Sequence, residues 1–277
     1  MTAISWINGV PCSSIALDDR GLAYGDGLFE TLLVIARKPL LLERHLLRLS
    51  QGCSRLNIQL DRAALVTEIS ALLSACKDDS QYVLKIIVTR ASDGRGYGYA
   101  DDAGCQRVLM LVPLTHAVPE SVHIRLCRTP LAINPVLAGM KHLCRLENVL
   151  ARAEWQDDSI FEGLMLDTEG YVVEGVSSNI FMVKNGLLFT PHLDRCGVAG
   201  VLRGYILEVL APELSLPVSL DRLLPERLAD ADELFICNSI IGIVPVIKYA
   251  SFQKPFGVIT QQLQLAYRQG IEKLCLS

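Results

Sequence analysis

An excess of charge of either sign is what this chain most lacks. Its 30 acidic and 26 basic residues are mixed along 277 positions and leave a formal net charge of −4. That balance leaves no basic footprint for nucleic acid or an anionic membrane, and no membrane partner is expected. The start, Met1-Thr2-Ala3-Ile4-Ser5-Trp6-Ile7, has no basic region followed by a long apolar one, and no later stretch approaches a charge-free membrane span. A cytoplasmic protein is expected. The nine cysteines, at 12, 53, 76, 105, 127, 144, 196, 237 and 275, are odd in number and form no C-x-x-C pair, which points to reduced, mostly buried thiols. The five histidines make no short pair with one another or with cysteine, so no metal site is expected. There is no internal repeat and no low-complexity segment, and a small molecule is the default partner.

What the chain does have is apolar bulk. Half of its residues are hydrophobic, enough for a large core, and the length suggests two domains. Asn8-Gly9 between Ile4 to Ile7 and a second apolar run predicts a hairpin. Asp18 to Gly27 reads as a glycine-containing loop leading into a strand from Leu28 to Ile35. Helical spacing follows Glu43 and again Asp61, and strands are expected at Tyr82 to Thr89 and Arg107 to Leu114. Prolines 113, 119 and 130 place a boundary near residue 118, giving domains 1–118 and 119–277. In the second domain the pattern predicts a strand at Ile124 to Arg128, a loop to Lys141 and a helix from Arg145 to Gln156. Short strands over Gly163 to Thr190, a helix from Val201 to Leu210, two strands from Glu233 to Ile247 and a terminal helix from Gly257 complete it. The fold class is α+β in both domains.

Lys141 stands between Gly139-Met140 and His142-Leu143, in an apolar setting where a desolvated amine would be a nucleophile suited to forming an imine. Glu174 closes a strand and precedes Gly175-Val176-Ser177-Ser178-Asn179, where a carboxylate would lie beside hydroxyls and turn amides. An imine lysine, an acid for a pyridine nitrogen and a cup for a phosphate are the requirements of pyridoxal phosphate. Gly197-Val198-Ala199-Gly200-Val201-Leu202-Arg203 opens a helix with glycines and would offer amides to an anion. Asn238-Ser239 after a strand and Arg48 on the first long helix would add donors. Each has an ordinary structural alternative: a surface lysine, a turn-capping glutamate, a helix start, a polar turn or a solvated arginine.

Taken together and in order, the chain resembles the class IV pyridoxal phosphate family, which includes branched-chain and D-amino acid aminotransferases and aminodeoxychorismate lyases. The likeness rests on Tyr24-Gly25-Asp26-Gly27-Leu28-Phe29-Glu30, His45 to Leu49, Lys141, Glu174 to Asn179, Gly200 to Arg203, and Leu234 to Val246. It implies the two-domain fold of D-amino acid aminotransferase, known as fold type IV, and a homodimer. It further implies Lys141 as the imine lysine, Glu174 on the pyridine nitrogen and Arg48 on the phosphate. Val201, Leu202, Asn238 and Ser239 would complete the cup, while Ser177 and Ser178 hold the cofactor region. Ala91 to Tyr97, Asn134 to Leu143 and Thr31 are more similar to the lyase branch, whose reaction releases 4-aminobenzoate, a folate precursor, and pyruvate from 4-amino-4-deoxychorismate. On that branch Lys141 and Thr31 would be catalytic, and Arg95, Tyr97 and Phe29 would meet the substrate. Cys144 stands where lyases have asparagine and Glu30 resembles transaminases, so amino transfer remains open, as does a non-catalytic binding module on the same fold.

Overall fold

A computed structural model of the chain describes residues 3–276 except 75, 77–79, 93–95, 101, 116, 250–251 and 254–255. It divides into two compact units, residues 1–116 with 140–144, and residues 117–139 with 145–277.

The first unit comprises β1 (Ile4–Ile7), β2 (Val10–Pro11), α1 (Arg20–Tyr24), β3 (Gly27–Ile35), β4 (Lys38–Pro39), α2 (Leu42–Arg55), α3 (Arg62–Leu73), β5 (Tyr82–Arg90) and β6 (Cys105–Pro113). The first turn is the predicted one: Asn8 and Gly9 both take positive φ, 49° and 78°, which matches the twist of a two-residue hairpin. The strands form a six-stranded sheet in the order β2-β1-β6-β5-β3-β4. Along β3 the two-residue period of a strand separates the faces. Leu28, Glu30, Leu32 and Val34 are buried, while Phe29, Thr31 and Leu33 are only half-buried. The buried face receives α2, whose His45, Leu46 and Leu49 are themselves buried, and Asp61 caps α3 by accepting the Ala64 amide at 2.9 Å.

The second unit comprises β7 (Val122–Leu126), α4 (Leu146–Arg152), β8 (Glu162–Leu166), β9 (Val172–Gly175), β10 (Asn179–Lys184), β11 (Leu187–Pro191), α5 (Val201–Tyr205), α6 (Ala211–Glu213), β12 (Val218–Asp221), α7 (Pro225–Ala229), β13 (Glu233–Asn238), β14 (Gly242–Tyr249), β15 (Phe252–Gln253) and α8 (Val258–Leu276). Its nine-stranded sheet runs β12-β11-β10-β13-β14-β7-β8-β9, with β15 paired to β14. The β13 strand is central, and it is buried from Glu233 to Cys237, with Leu234 to Cys237 forming an unbroken apolar run. Cross-strand partners Phe181 and Phe235 stack at 4.8 Å between ring centroids.

The structure departs from the sequence expectations in three places. The Asp18 to Gly27 loop contains α1, capped by Asp19 accepting the Leu22 amide and ended by Gly25 in the left-handed region. The helix expected over 145–156 is shorter, because Trp155 turns inward and its indole N–H donates to Ile160 O at 3.0 Å. The helix from Val201 widens into a π-helical turn over Ile206–Leu210: Pro212 has no amide to give, and the Ala211 amide reaches Ile206 O, five residues back.

One break between the units falls between residues 116 and 117, beside the expected boundary at 118. Met140–Cys144, the segment with Lys141, belongs to the first unit. It runs along β3 as an added edge: the Phe29 amide donates to Lys141 O at 2.9 Å and the Leu143 amide to Gly27 O at 3.0 Å.

Candidate active site

In the first unit the backbone itself aims the lysine. Leu28 and His142 form an antiparallel bridge, so Lys141 lies opposite Phe29 and shares its face of the sheet. The result is direct: Lys141 Nζ sits 4.4 Å from the centre of the Phe29 ring. Thr31, two residues along β3, is on the same half-buried face, and its cross-strand partner is Lys85, whose Nζ lies 5.6 Å from the same ring. The structure thus places Phe29, Thr31 and Lys141 on one face, with a second amine, Lys85, that sequence reasoning missed.

Behind that face lies a charged cluster. Glu30 is 1% exposed and accepts from Arg48 Nε at 2.8 Å and from Arg48 Nη2 at 2.5 Å. His45 Nδ1 lies 2.6 Å from Glu30 Oε2. Burial pushes the Glu30 carboxyl up, but the Arg48 charge and the hydrogen bonds from His45 and Arg48 outweigh it and hold the group below its ordinary value. Burial likewise depresses His45, and the pull of Glu30 does not restore it. An ionised Glu30 accepts only, so a neutral His45 must donate from Nδ1. Its Nε2 is buried without a hydrogen-bond partner. Arg48, expected at a phosphate, therefore has its guanidinium oriented by Glu30, and His45 steadies the carboxylate.

Also in this unit, Tyr97 is 85% exposed and packs against Tyr24 at 5.4 Å between centroids. Arg95 lies outside the described residues.

In the second unit the acid and the anion donors converge. Glu174, on β9, is 4% exposed, and its Oε2 accepts the Val198 amide at 2.8 Å. Gly197, at φ +82°, makes the approach possible, since a Cβ there would stand 2.7 Å from Val173 Cγ1. Three residues on, Gly200 is the N-cap of α5 and offers no side-chain acceptor for the helix's first amides. Val201 and Leu202 are 6% and 1% exposed, and their amides have no acceptor inside the helix. A buried helix start left uncapped is suited to an anion. Asn179 packs so closely under Gly200 that an added Cβ would come within 1.9 Å of Asn179 Oδ1.

Ser177 and Ser178 direct their hydroxyls to Glu162 Oε2, at 2.7 and 2.9 Å. Glu162 is 2% exposed, and burial raises its pKa against the lowering effect of these hydrogen bonds and those from the Gly163 and Ser177 amides. The two serines therefore shape the turn after Glu174 through a carboxylate that sequence reasoning overlooked. Its signal was available: Glu162 is one acid in an otherwise apolar strand. Asn238 is spent on its own turn, accepting from the Ile240 and Ile241 amides at 2.9 Å and donating to Ser177 O at 3.1 Å. Ser239 follows it in the turn. Arg203, read earlier only as part of a motif, is buried and donates to Pro191 O at 2.8 Å, which places a cation within this half.

A sequence model of the family described as Amino-transferase class IV matches residues 27–249. The chain belongs to the class IV aminotransferase family. Within it, the chain is 34% identical over 272 residues to aminodeoxychorismate lyase of Vibrio harveyi, covering 94% of this chain and 97% of that protein. The crystal structure of 4-amino-4-deoxychorismate lyase from Pseudomonas aeruginosa superposes with a TM-score of 0.88 at 47% identity, over 96% of this chain and 98% of that one. An aminotransferase from Brucella abortus, solved bound to the cofactor PLP, shares the fold at a TM-score of 0.83 and 21% identity, over 96% and 98% of the two chains. The two-domain α+β fold expected from the resemblance is the observed one. The donor set fits pyridoxal phosphate: an amine, a buried carboxylate and an uncapped helix start are the groups it needs.

Proposed function

We propose that this chain is a pyridoxal phosphate-dependent lyase that converts 4-amino-4-deoxychorismate into 4-aminobenzoate and pyruvate, in folate biosynthesis. The observation that carries this reading is the 47% identity to the Pseudomonas aeruginosa lyase, maintained over 96% of the chain. In this reading Lys141 holds the cofactor's aldehyde, Glu174 faces its pyridine nitrogen, and Arg48 with the Val201 and Leu202 amides and Ser239 holds its phosphate. When bound, the cofactor supplies an electron sink for the pair left behind when a proton is removed from carbon.

The chain's own residues do the rest. The Val198 amide fixes one oxygen of Glu174, so the carboxylate keeps one orientation as charge develops. Lys141 Nζ, released for acid–base work, takes the proton from the amine-bearing ring carbon and returns one to the departing enolpyruvyl fragment, which leaves as pyruvate. Thr31, on the same face, assists that second transfer. Phe29 walls the face from below and excludes water. Arg95 and Tyr97 bind the substrate's carboxylates, and Ser177 and Ser178 keep the Glu174 turn in shape through Glu162. The active species is a homodimer and works in the cytoplasm; no helix among the described residues is long and apolar enough to cross a membrane.

The test is one incubation of cofactor-loaded enzyme with 4-amino-4-deoxychorismate, following both products. Equal amounts of 4-aminobenzoate and pyruvate are expected, and loaded enzyme that forms neither refutes the reading. Amino transfer is the alternative that Glu30 favours: the chain is 28% identical over 269 residues to a putative branched-chain aminotransferase of Methanocaldococcus jannaschii. An amino acid supplied without a keto acid would convert an aminotransferase, and not a lyase, to its pyridoxamine form.

A further inference from the structure

The turn containing Tyr97 is gripped by groups that the chemistry above does not use. Arg20, on α1, is buried, and its guanidinium donates to Gly96 O and Gly98 O, both at 3.1 Å, and to Tyr97 O at 3.5 Å. Successive carbonyls of an extended chain point in opposite directions, so three that meet one guanidinium require a turned backbone. Gly96 supplies it with φ +64°.

Arg20 is held in turn by Asp26, which accepts from its Nε at 2.9 Å and from Arg90 Nε at 2.9 Å. Arg90 fixes the other side of the grip: it donates to Leu56 O at 2.6 Å and Asn57 O at 2.8 Å, and its guanidinium lies 3.6 Å from the centre of the Tyr99 ring. Two guanidinium groups around one carboxylate leave an uncancelled positive charge. Carbonyl dipoles and the faces of Tyr24 and Tyr99 absorb it. The base of the cluster is rigid, because α1 lies so near β5 that a Cβ on Gly21 would stand 2.3 Å from Thr89 Cγ2.

We propose that Arg20, tied through Asp26 to Arg90, is a positioning residue for substrate binding: it clamps the backbone of Gly96–Gly98 so that Tyr97 is presented at one fixed place. With its carbonyls turned onto Arg20, the turn directs the Tyr97 side chain outward, where it is 85% exposed. The clamp rests on the reading of Tyr97 as a substrate-binding residue of the lyase.

Steady-state kinetics of the cofactor-loaded enzyme on 4-amino-4-deoxychorismate test it, with Arg20→Lys, Tyr97→Ala and the double variant. A lysine cannot grip three carbonyls at once, and Arg20→Lys is expected to raise KM about tenfold with kcat within about twofold. In the Tyr97→Ala background the same change should have no further effect on KM. An equal rise in both backgrounds, or a fall in kcat alone, overturns the positioning role.

Hydrogen exchange gives a readout that needs no substrate. Amides of residues 96–99 should exchange at least about tenfold faster in Arg20→Lys and in Tyr99→Leu, which leaves the three charged groups intact, while those of β5 stay protected. Unchanged exchange overturns the clamp. Wild-type enzyme inactive on this substrate refutes the lyase reading, and exchange then decides the clamp by itself.

Discussion

Acidification should unlock the Glu30 cluster before it unfolds the rest of the protein, and His45 is the group that reports it. A buried His45 held neutral has a folded-state pKa below its unfolded value, so the unfolded chain binds the extra proton more readily. Its contribution to stability is complete above the unfolded value of about 6.5 and is lost as pH falls from there toward the depressed folded value. The slope for one proton has a ceiling of about 1.4 kcal/mol per pH unit. Protonation would put a second cation beside Arg48 on a single carboxylate, with burial and the Lys141 charge opposing it. Glu30 acts in the same sense but lower, losing its contribution as pH falls through its own depressed value. Glu162 acts in the opposite sense, since its raised pKa makes it favour folding at low pH. The clean measurement is therefore a difference: urea unfolding of wild type and His45→Asn between about pH 8 and about pH 5. Asparagine can still donate to Glu30 and does not titrate. The stability difference should be constant above about pH 7 and shrink by roughly 1 kcal/mol per pH unit below about 6.5. A flat difference would show that folding does not depress His45, and one that grows on acidification would show that His45 is charged in the folded protein; either result refutes the neutral, buried reading of the cluster.

Three further outcomes follow from the two half-sites. Borohydride reduction of protein incubated with pyridoxal phosphate should fix the cofactor to the peptide containing Lys141, and Lys141→Ala should abolish that label; a label on the Lys85 peptide would transfer the imine role to the other amine above Phe29. Gly200→Ala drives a methyl into Asn179, breaking the Asn179 Nδ2 donation to Val198 O, and cofactor affinity should fall about tenfold or more, the equivalent of at least about 1.4 kcal/mol; an unchanged dissociation constant would remove the Gly200 helix start from the phosphate cup. Glu233 receives the Ile259 and Thr260 amides and the Thr260 hydroxyl at the start of α8, so Glu233→Ala should lower stability by about 2 kcal/mol, seen in urea unfolding, while KM stays near wild type.

The residue types and their order by themselves marked out the groups proposed for the chemistry. A lysine in an apolar segment, an acid before two serines and a glycine-opened helix were legible because each needs only local rules: strand alternation, helix starts and turn residues. The Asn8-Gly9 hairpin and the Asp61 cap were readable for the same reason. What tertiary structure decided was which groups meet. Lys141 looked like a loop residue of the second domain, yet its backbone is hydrogen-bonded to β3, and only that register sets its amine over Phe29. Glu30, read in sequence as a transaminase-like letter, is the buried partner of His45 and Arg48. Such a partnership depends on which face of β3 packs on α2. Ser177 and Ser178 meet Glu162 across at least 15 residues of chain, and Arg20 reaches its three carbonyls across at least 76. Sequence spacing carries no record of contacts closed over such distances, because the chain in between is free to place them anywhere until the sheets form.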